Sequence, residues 1–232
     1  MNSKKHIVVL TGAGISAESG LKTFRDSVDG LWNGYDIEEV ATPNAWHKNP
    51  ALVLDFYNYR RSEVLKAEPN AAHKGLAALE QFFNVTIITQ NIDDLHERGG
   101  STNVIHLHGE ILKMRSERNE TKTYPITGDI QIGDKAADGF QLRPHIVWFG
   151  EAVPMIELAS DITATADAFV VVGTSLNVYP AAGLLHYAPA EIPKFIVDKH
   201  IPDAYGVQHL ECIEQPATIG IELLTQKLLA LK

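Results

Sequence analysis

The stretch that decides the fold is VVLTGAGISAESG, at residues 8–20. The apolar run at residues 7–10 indicates a buried strand, and the glycines after it indicate a tight turn into a helix. Gly12 and Gly14 would leave room for a ligand, and successive backbone N–H groups there would form an anion site. The spacing Gly12-x-Gly14-x-x-Ala17 also fits a loose dinucleotide-binding pattern. A tight turn that binds nothing is the alternative that this stretch alone leaves open.

Three further stretches follow: TQNIDDLH at residues 89–96, HLHGE at residues 106–110 and GTSLNVYP at residues 173–180. Together with residues 8–20 and the pair Phe24-Arg25, they resemble the motifs of the sirtuins, the NAD-dependent protein deacylases. Their order and approximate spacing match that family over almost the whole chain. Four such motifs in the same order rarely arise by chance, so the resemblance implies the sirtuin fold and NAD as cofactor.

Composition and periodicity indicate an α/β fold. Of the 232 residues, 45% are hydrophobic, which is enough to bury a full core. Short apolar, β-branched runs alternate with helix-like segments, which predicts a mainly parallel sheet with helices on both faces. We expect a single sirtuin-type catalytic domain over residues 1–232, with a Rossmann-type large part and a small inserted part. The predicted large part comprises residues 1–35, 70–109 and 144–232, and the predicted insertions comprise residues 36–69 and 110–143.

Charge and cysteine content narrow the classes of function. The chain has 20 Lys and Arg against 29 Asp and Glu, and its formal net charge of −9 would repel a nucleic-acid backbone. No run approaches the roughly 20 apolar residues that span a bilayer, and the first residues lack an apolar secretory region. We therefore expect a cytoplasmic protein with neither nucleic-acid nor membrane partners. Cys212 is the single cysteine, which excludes an intramolecular disulfide, and we expect it to be buried and inert.

Local patterns predict the other elements. Asn49 and Pro50 are typical of the N-cap and first position of a helix that carries Tyr57 and Arg60 on one face. A second helix is expected to open at Asn70. Strands of the main sheet are expected at residues 85–89, 103–107, 144–149, 168–172 and 195–198, and later helices at residues 154–166 and 216–231.

The resemblance assigns the role of general base to His108. A neutral imidazole with an ordinary pKa near 6.5 suits the activation of a ribose hydroxyl. His106 lies two residues earlier, on the same face if the strand continues, and we expect it to be structural. For an isolated His-x-His-Gly, a hydrogen-bonded structural histidine would be an equal alternative.

The resemblance also implies a set of NAD-binding residues at strand ends. Asn91 and Asp93 would bind the nicotinamide carboxamide with Gln90 beside the ribose, although such residues also suit an ordinary turn. Asp198 and Ala217 would lie near the adenosine. The whole set comprises Gly12, Ala13, Gly14, Ile15, Ala17, Glu18, Phe24, Arg25, Gln90, Asn91, Ile92, Asp93, Gly173, Thr174, Ser175, Asp198 and Ala217.

An ordinary dinucleotide dehydrogenase is the main competing explanation of the glycine pattern. That class needs an acidic residue about 20 positions further on, at the end of a second strand. Asp29, Asp36 and Glu38 fall nearby, but no strand pattern precedes them. The dehydrogenase hypothesis is therefore rejected.

One departure from the family concerns metal. Sirtuins usually carry two cysteine pairs that hold a structural zinc ion, but residues 110–143 contain no cysteine. We therefore expect a zinc-free insertion held by packing or by a partner, and no metal site. Because that zinc is structural, its loss does not by itself remove catalysis.

The resemblance implies an acyl-lysine substrate. Residues 145–151 resemble the strand on which the family binds its peptide by β-augmentation, and would place Val147, Phe149, Gly150 and Glu151 against it. Ala41, Tyr57 and Arg60 resemble the set found in sirtuins selective for acidic acyl groups. Arginine suits this role because it binds a carboxylate through two hydrogen bonds and keeps its charge. The alternative is that Arg60 and Arg61 form a solvated helix face and that Tyr57 is an ordinary core residue.

The function expected from these patterns is that of a protein-lysine deacylase of the desuccinylase type. It would prefer succinyl- or malonyl-lysine over acetyl-lysine and would release nicotinamide and O-acyl-ADP-ribose. A mono-ADP-ribosyltransferase and a non-enzymatic sensor of NAD or ADP-ribose are the alternatives. His108 favours an enzyme, because a sensor needs no base.

Overall fold

The computed structural model describes residues 4–22 and 35–232. Its strands are β1 (His6–Thr11), β2 (Asn84–Thr89), β3 (Val104–His106), β4 (Gly109–Ser116), β5 (Thr123–Pro125), β6 (Leu142–Ile146), β7 (Ala168–Val172), β8 (Lys194–Asp198) and β9 (Leu210–Glu214). Its helices are α1 (Ala13–Ala17), α2 (Ile37–Val40), α3 (Pro43–Lys48), α4 (Pro50–Lys66), α5 (Ala71–Ala78), α6 (Leu95–Arg98), α7 (Ile156–Thr163) and α8 (Ala217–Leu229), with 3-10 helices at Leu79–Gln81 and Ala181–His186. None of the helices in these ranges combines the length and the apolar character needed to cross a membrane.

The main sheet has six strands in the order β3-β2-β1-β7-β8-β9. All of its pairings are parallel. From β1 the chain first moves outward through β2 and β3, then crosses back to β7 and moves outward on the other side. In a doubly wound sheet, ligands bind beyond the carboxyl ends of the strands at this reversal. The predicted Rossmann-type α/β fold is confirmed, and it directs attention to the ends of β1 and β7.

Both faces of the main sheet are buried, as is usual for parallel strands. Every residue of β7 is buried, and residues 7–10 of β1 expose no surface. One core packs α5 and α8 against one face of the sheet. The other face packs against α7 and the 3-10 helix Ala181–His186. Sheet and helices together hold the strand ends in fixed positions.

A smaller part consists of α2, α3, α4 and the antiparallel sheet β5-β4-β6. The helix α4 begins as predicted, with the Asn49 side chain accepting a hydrogen bond from the N–H of Leu52 at 3.2 Å. A third core joins these helices to the small sheet through Trp46, Tyr57 and Trp148. This core lies beside the carboxyl ends of the main sheet, so it can close a site from a second side.

One predicted strand belongs to a different sheet. We expect residues 144–149 to return to the main sheet, but β6 pairs with β4 in the small one. Gly109 has a φ of +81°, which turns the chain away from the main sheet directly after β3. The prediction is wrong because an apolar run indicates a strand without indicating its partner. The strand β6 also crosses the limit predicted between residues 143 and 144, and the division into parts stays a prediction.

The last strand of the main sheet, β9, is absent from the sequence prediction. It lies at the sheet edge, and its residues Glu211 and Glu214 are exposed, so its pattern is not that of a buried run. Cys212 lies on this strand and is exposed, whereas its neighbour Ile213 is buried. The expectation of a buried Cys212 is therefore wrong, because side chains alternate between the two faces of a strand.

Candidate active site

Two glycine-containing loops meet at the ends of β1 and β7. The N–H of Gly12 donates to the carbonyl of Val172 at 3.1 Å, and that of Gly14 donates to the carbonyl of Gly173 at 2.8 Å. A Cβ atom on Gly12 would lie 2.6 Å from Cβ of Thr174, and one on Gly14 would lie 2.7 Å from Cα of Gly173. Both glycines are therefore required by the close approach of the loops to each other.

This contact corrects the expected anion site in the first loop. The N–H groups of Gly12 and Gly14 are used by the second loop, and that of Ile15 donates to the Gly12 carbonyl at 3.1 Å. These three donors are therefore not available to a phosphate. The room that the two glycines leave is filled by protein, although both glycines still line the neighbouring cavity.

Residues 90–93 follow β2 directly and link the two loops. Gln90 donates from its amide to the Thr174 hydroxyl at 3.1 Å. Asn91 donates from Nδ2 to the Gly12 carbonyl and to the Ser16 hydroxyl, both at 3.1 Å. These bonds hold the polar side chains of the segment in the wall of the cavity rather than in an ordinary exposed turn.

Asp93 is a buried carboxylate at the same end of the cavity. Its oxygens accept hydrogen bonds from the Ser16 hydroxyl and from the N–H of Leu95, each at 3.1 Å. Burial raises the pKa of Asp93, and these two hydrogen bonds oppose that effect. Because Ser16 bonds to both Asn91 and Asp93, an amide and a carboxyl group lie side by side. Both amide hydrogens of Asn91 are used by its bonds to Gly12 and Ser16, so its Oδ1 and the Asp93 carboxylate remain as neighbouring acceptors.

His108 lines the cavity two residues beyond β3. Its Nδ1 lies 3.0 Å from the carbonyl oxygen of Gln90. A carbonyl only accepts, so Nδ1 carries the proton and Nε2 keeps its lone pair. Burial lowers the pKa of His108, and the bond to Gln90 opposes that effect. The imidazole is therefore neutral at neutral pH, which is the form that a general base requires.

The helix α4 presents Tyr57 and Arg60 to the same cavity. Their exposed fractions are 1% and 7%, and that of Arg61 is 1%, so the alternative of a solvated arginine face is excluded. Burial lowers the pKa of Arg60, while the charge of Asp93 raises it. Burial raises the pKa of the Tyr57 hydroxyl above its usual range. The cavity therefore has a charged guanidinium and a protonated phenol at this end, next to the small Ala41.

The segment after β6 connects the two parts of the protein across the cavity. The N–H of Val147 donates to the His108 carbonyl at 2.9 Å, and that of Phe149 donates to the Ala41 carbonyl at 3.0 Å. Two N–H groups of the predicted peptide-binding strand are thus used within the protein. A peptide that pairs with this segment has to use other backbone groups.

A hydrogen-bonded ion pair between Arg143 and Glu151 holds this segment in place. Arg143 donates to the carboxylate of Glu151 at 2.8 and 3.2 Å, and Glu151 also accepts the N–H of Trp148 at 2.8 Å. The guanidinium of Arg143 stacks on the Trp148 ring, 3.2 Å from its centroid. The Glu151 carboxylate therefore holds Trp148 in the cavity wall.

The surrounding elements enclose a cavity of about 590 Å³. Most of the predicted site residues line it: Gly12, Ala13, Gly14, Ala17, Ala41, Tyr57, Arg60, Gln90, Asn91, Ile92, Asp93, His108, Val147, Phe149, Gly150, Glu151, Gly173, Thr174, Ser175, Asp198 and Ala217. Ile15 does not line it but packs in the core, and Glu18 instead accepts the N–H and hydroxyl of Thr218 at 3.1 and 2.9 Å. Phe24 and Arg25 lie outside the described residues.

The chain is similar to proteins of one known family. The model of the Sir2 family matches residues 12–180, which is most of the chain. The chain belongs to the Sir2 family.

Several relatives of this Sir2-family protein are similar over nearly their full length. The NAD-dependent protein deacylase of Bacteroides thetaiotaomicron is 51% identical over 231 residues, covering 97% of this chain and 98% of the relative. The NAD-dependent protein deacylase of Helicobacter pylori is 50% identical over 225 residues, with coverage of 97% and 98%.

Solved structures of Sir2 proteins show the same fold. A mutant Sir2 homologue in complex with ADP-ribose has a TM-score of 0.88 at 37% identity, covering 99% of this chain and 95% of that one. A Sir2 homologue in complex with NAD has a TM-score of 0.87 at 37% identity, covering 99% and 91%. A Sir2 structure with a p53 peptide and NAD+ has a TM-score of 0.77 at 30% identity, covering 97% and 94%.

Three further residues of this Sir2-family chain support the site and are absent from the sequence prediction: Ser16, Arg143 and Trp148. Ser16 lies inside the first motif, but its bonds to Asn91 and Asp93 form only when β1 and β2 are paired. Trp148 lies in a run that indicates an ordinary core strand. A tryptophan and an arginine close to the predicted substrate residues were the available signals.

Proposed function

We propose that this protein is an NAD-dependent protein-lysine deacylase that prefers succinyl- and malonyl-lysine over acetyl-lysine. The observation that carries the proposed chemistry is the neutral imidazole of His108, held by the Gln90 carbonyl in the wall of the cavity. The relatives named as NAD-dependent protein deacylases support the same class of reaction. The structure with a bound peptide supports a protein or peptide substrate.

The residues around the cavity fit NAD. The Oδ1 atom of Asn91 and the Asp93 carboxylate offer acceptors, to which the NH₂ group of a nicotinamide carboxamide can donate. Thr174 adds a hydroxyl group from the second loop, and Asp198 adds an acceptor for ribose hydroxyls at the end of β8. A cavity of about 590 Å³ lies in the size range of sites that bury a cofactor. When bound, NAD supplies an electrophilic ribose carbon and the hydroxyl that receives the acyl group.

The protein's own groups would act in a fixed order. Asn91 and Asp93 orient the nicotinamide end, so that the reacting carbon faces the acyl-lysine oxygen. Nε2 of His108 then takes the proton of a ribose hydroxyl. The carbonyl of Gln90 stabilises the imidazolium that forms, because Nδ1 already donates to it. Trp148 forms part of the wall that excludes water from this end.

The acyl preference follows from the buried cation of α4. A carboxylate at the tip of the acyl chain brings a negative charge to Arg60, and the protonated Tyr57 hydroxyl can donate to the same group. An acetyl group brings no charge, so it gains nothing from burial beside a guanidinium. The small side chain of Ala41 leaves space for the longer acyl group.

The test compares kcat/KM for matched succinyl- and acetyl-lysine peptides. We expect the wild type to prefer succinyl-lysine, and Arg60→Met to lower succinyl turnover by about 10–100-fold, as for the loss of charged hydrogen bonds. Acetyl turnover should change by less than about threefold. Lys66→Met, at an exposed cation of the same helix, is the matched control.

The two possible failures of this test have different meanings. An acetyl preference in the wild type would defeat the proposed acyl selectivity while leaving the deacylase itself in place. Equal losses on both peptides in Arg60→Met would assign Arg60 a structural role.

A further inference from the structure

Two histidines form hydrogen bonds to successive backbone carbonyl groups of the segment that follows β2. Nδ1 of His108 lies 3.0 Å from the backbone carbonyl oxygen of Gln90, and Nδ1 of His106 lies 3.1 Å from the backbone carbonyl oxygen of Asn91. The histidines are two residues apart, so one stretch of chain supplies both donors. Of the two, only His108 lines the cavity.

The two imidazoles differ in charge. Nε2 of His106 lies 2.8 Å from the carboxylate of Glu97, so both ring nitrogens face groups that only accept. Both nitrogens therefore carry protons, and His106 is an imidazolium. Burial lowers the pKa of His106, but the hydrogen bond and charge of Glu97 outweigh it and leave the pKa above its ordinary value. His108 has no such carboxylate partner and stays neutral.

The peptide group that His106 holds belongs to the residue at the nicotinamide end. Asn91 is 7% exposed, and its own N–H donates to the Thr89 hydroxyl at 3.0 Å. Side chains thus fix both backbone polar groups of Asn91, where a regular strand would use neighbouring backbone. These two bonds fix the backbone of Asn91, and the bonds from its Nδ2 to the Gly12 carbonyl and the Ser16 hydroxyl fix its amide.

We infer that His106, through its bond to the backbone carbonyl of Asn91, is a positioning residue for NAD. It fixes the backbone carbonyl of Asn91 and thereby the position from which the Asn91 side chain extends toward the nicotinamide carboxamide. This inference rests on the proposed function, since it requires NAD to bind with that end beside Asn91. His106 itself does not line the cavity.

Other charged groups face His106 as well. Glu110, at the start of β4, adds negative charge, and its carboxylate pairs with Lys113. The His106 charge in turn lowers the pKa of Asp93.

A purely structural role and a positioning role of His106 have different consequences. A purely structural role would change the stability of the protein and all of its kinetic constants together. A positioning role would change the affinity for NAD and leave KM for the peptide little altered.

The test uses two amide replacements that separate the two ring nitrogens. The amide nitrogen of asparagine occupies about the place of Nδ1, and that of glutamine occupies about the place of Nε2. His106→Asn keeps the donor to the Asn91 carbonyl and loses Glu97, whereas His106→Gln does the reverse. His186→Gln, at an exposed histidine far along the chain, is the control for the substitution.

The measurements are the NAD dissociation constant by calorimetry, KM for NAD, KM for the acyl peptide and the melting temperature. We expect His106→Gln to weaken NAD binding by about tenfold or more and His106→Asn by no more than about threefold, with KM for the peptide little changed in both. Equal NAD affinities of the two variants, or equal changes in KM for NAD and for the peptide, would overturn the inference.

The test of His106 can fail independently of the proposed deacylase function. A wild type that binds NAD but deacylates no peptide defeats the proposed reaction, and the two dissociation constants still decide the role of His106. A wild type that does not bind NAD overturns both.

Discussion

At the scale of single residues, the pKa values of two neighbouring histidines are shifted in opposite directions. His108 is neutral because it is buried next to a carbonyl, and His106 is charged because it is bonded to Glu97. Only the neutral imidazole has a lone pair for proton transfer. The charged one can only donate, which suits it to holding the chain.

We predict that His108→Ala lowers kcat for deacylation by about 10²–10⁴-fold, the usual contribution of a general base. NAD affinity should change by less than about threefold, because the Asn91 and Asp93 contacts remain. The measurements are steady-state turnover of an acyl peptide and calorimetric binding of NAD. Deacylation within about tenfold of the wild type would remove His108 from the role of base.

Single site residues could be predicted where a short motif fixes their local geometry. Gln90, Asn91 and Asp93 directly follow a buried strand, and their place at its carboxyl end follows from the fold. The role of Gly12 could not be inferred, because the loop that fills the space beside it lies more than a hundred residues away in the chain. Glu18 likewise contacts Thr218 at the other end of the sequence.

At the scale of elements, the helix α4 is bonded to residues 110–143, a segment that contains no cysteine. Arg61 donates to the carbonyls of Ile111 and Gly128 at 2.9 and 3.1 Å. Asn58 donates to the carbonyl of Ile130 at 2.9 Å and accepts its N–H at 3.0 Å. These bonds link α4 through side chains to β4 and to the segment between β5 and β6. The expectation that the protein carries no zinc stays a prediction.

We predict that Asn58→Ala lowers the free energy of unfolding by about 2–3 kcal/mol, since it removes three hydrogen bonds, two with the backbone of Ile130 and one from Arg61. Asp55→Ala, at an exposed position on the same helix, should change it by less than about 0.5 kcal/mol. Urea unfolding of the two variants measures the difference. If both variants were equally stable, the bonds between Asn58 and Ile130 would have no role in holding this segment against α4.

Elements could be predicted where they are long or strongly marked. The strand β7 is apolar throughout, and α4 carries its own cap at Asn49, so both are visible in the sequence. The helices α2 and α6 have four residues each. Helices of that length form only through tertiary contacts, so no local pattern indicates them.

At the scale of the whole molecule, a buried histidine pair links stability to pH. The rings of His73 and His96 lie 5.0 Å apart, and Nε2 of His96 is 2.9 Å from the Thr11 hydroxyl. Burial lowers the pKa of His73 to about 4 and that of His96 well below its ordinary value. In the unfolded chain both histidines take up protons near pH 6.5, whereas the folded protein keeps them neutral.

We predict that the free energy of unfolding falls by about 1–3 kcal/mol per pH unit as the pH drops from 6.5 to 5, because the unfolded state then binds about one to two more protons at these two sites. The contribution of His106 to the pH dependence of stability has the opposite sign, because its raised pKa stabilises the folded state at low pH. Urea unfolding at pH 7, 6 and 5 measures the slope. A stability that stays constant or rises on acidification would contradict the neutral buried pair.

The measurement that tests the central claim most directly is the fate of a succinyl-lysine peptide incubated with the wild type and NAD. Mass spectrometry should show that the peptide loses its succinyl group while an equal amount of nicotinamide is released and ADP-ribose gains the acyl group. Release of nicotinamide with an unchanged peptide and ADP-ribose attached to protein would instead show an ADP-ribosyltransferase. Binding of NAD without release of nicotinamide would show a sensor, and either result would contradict the proposed deacylase.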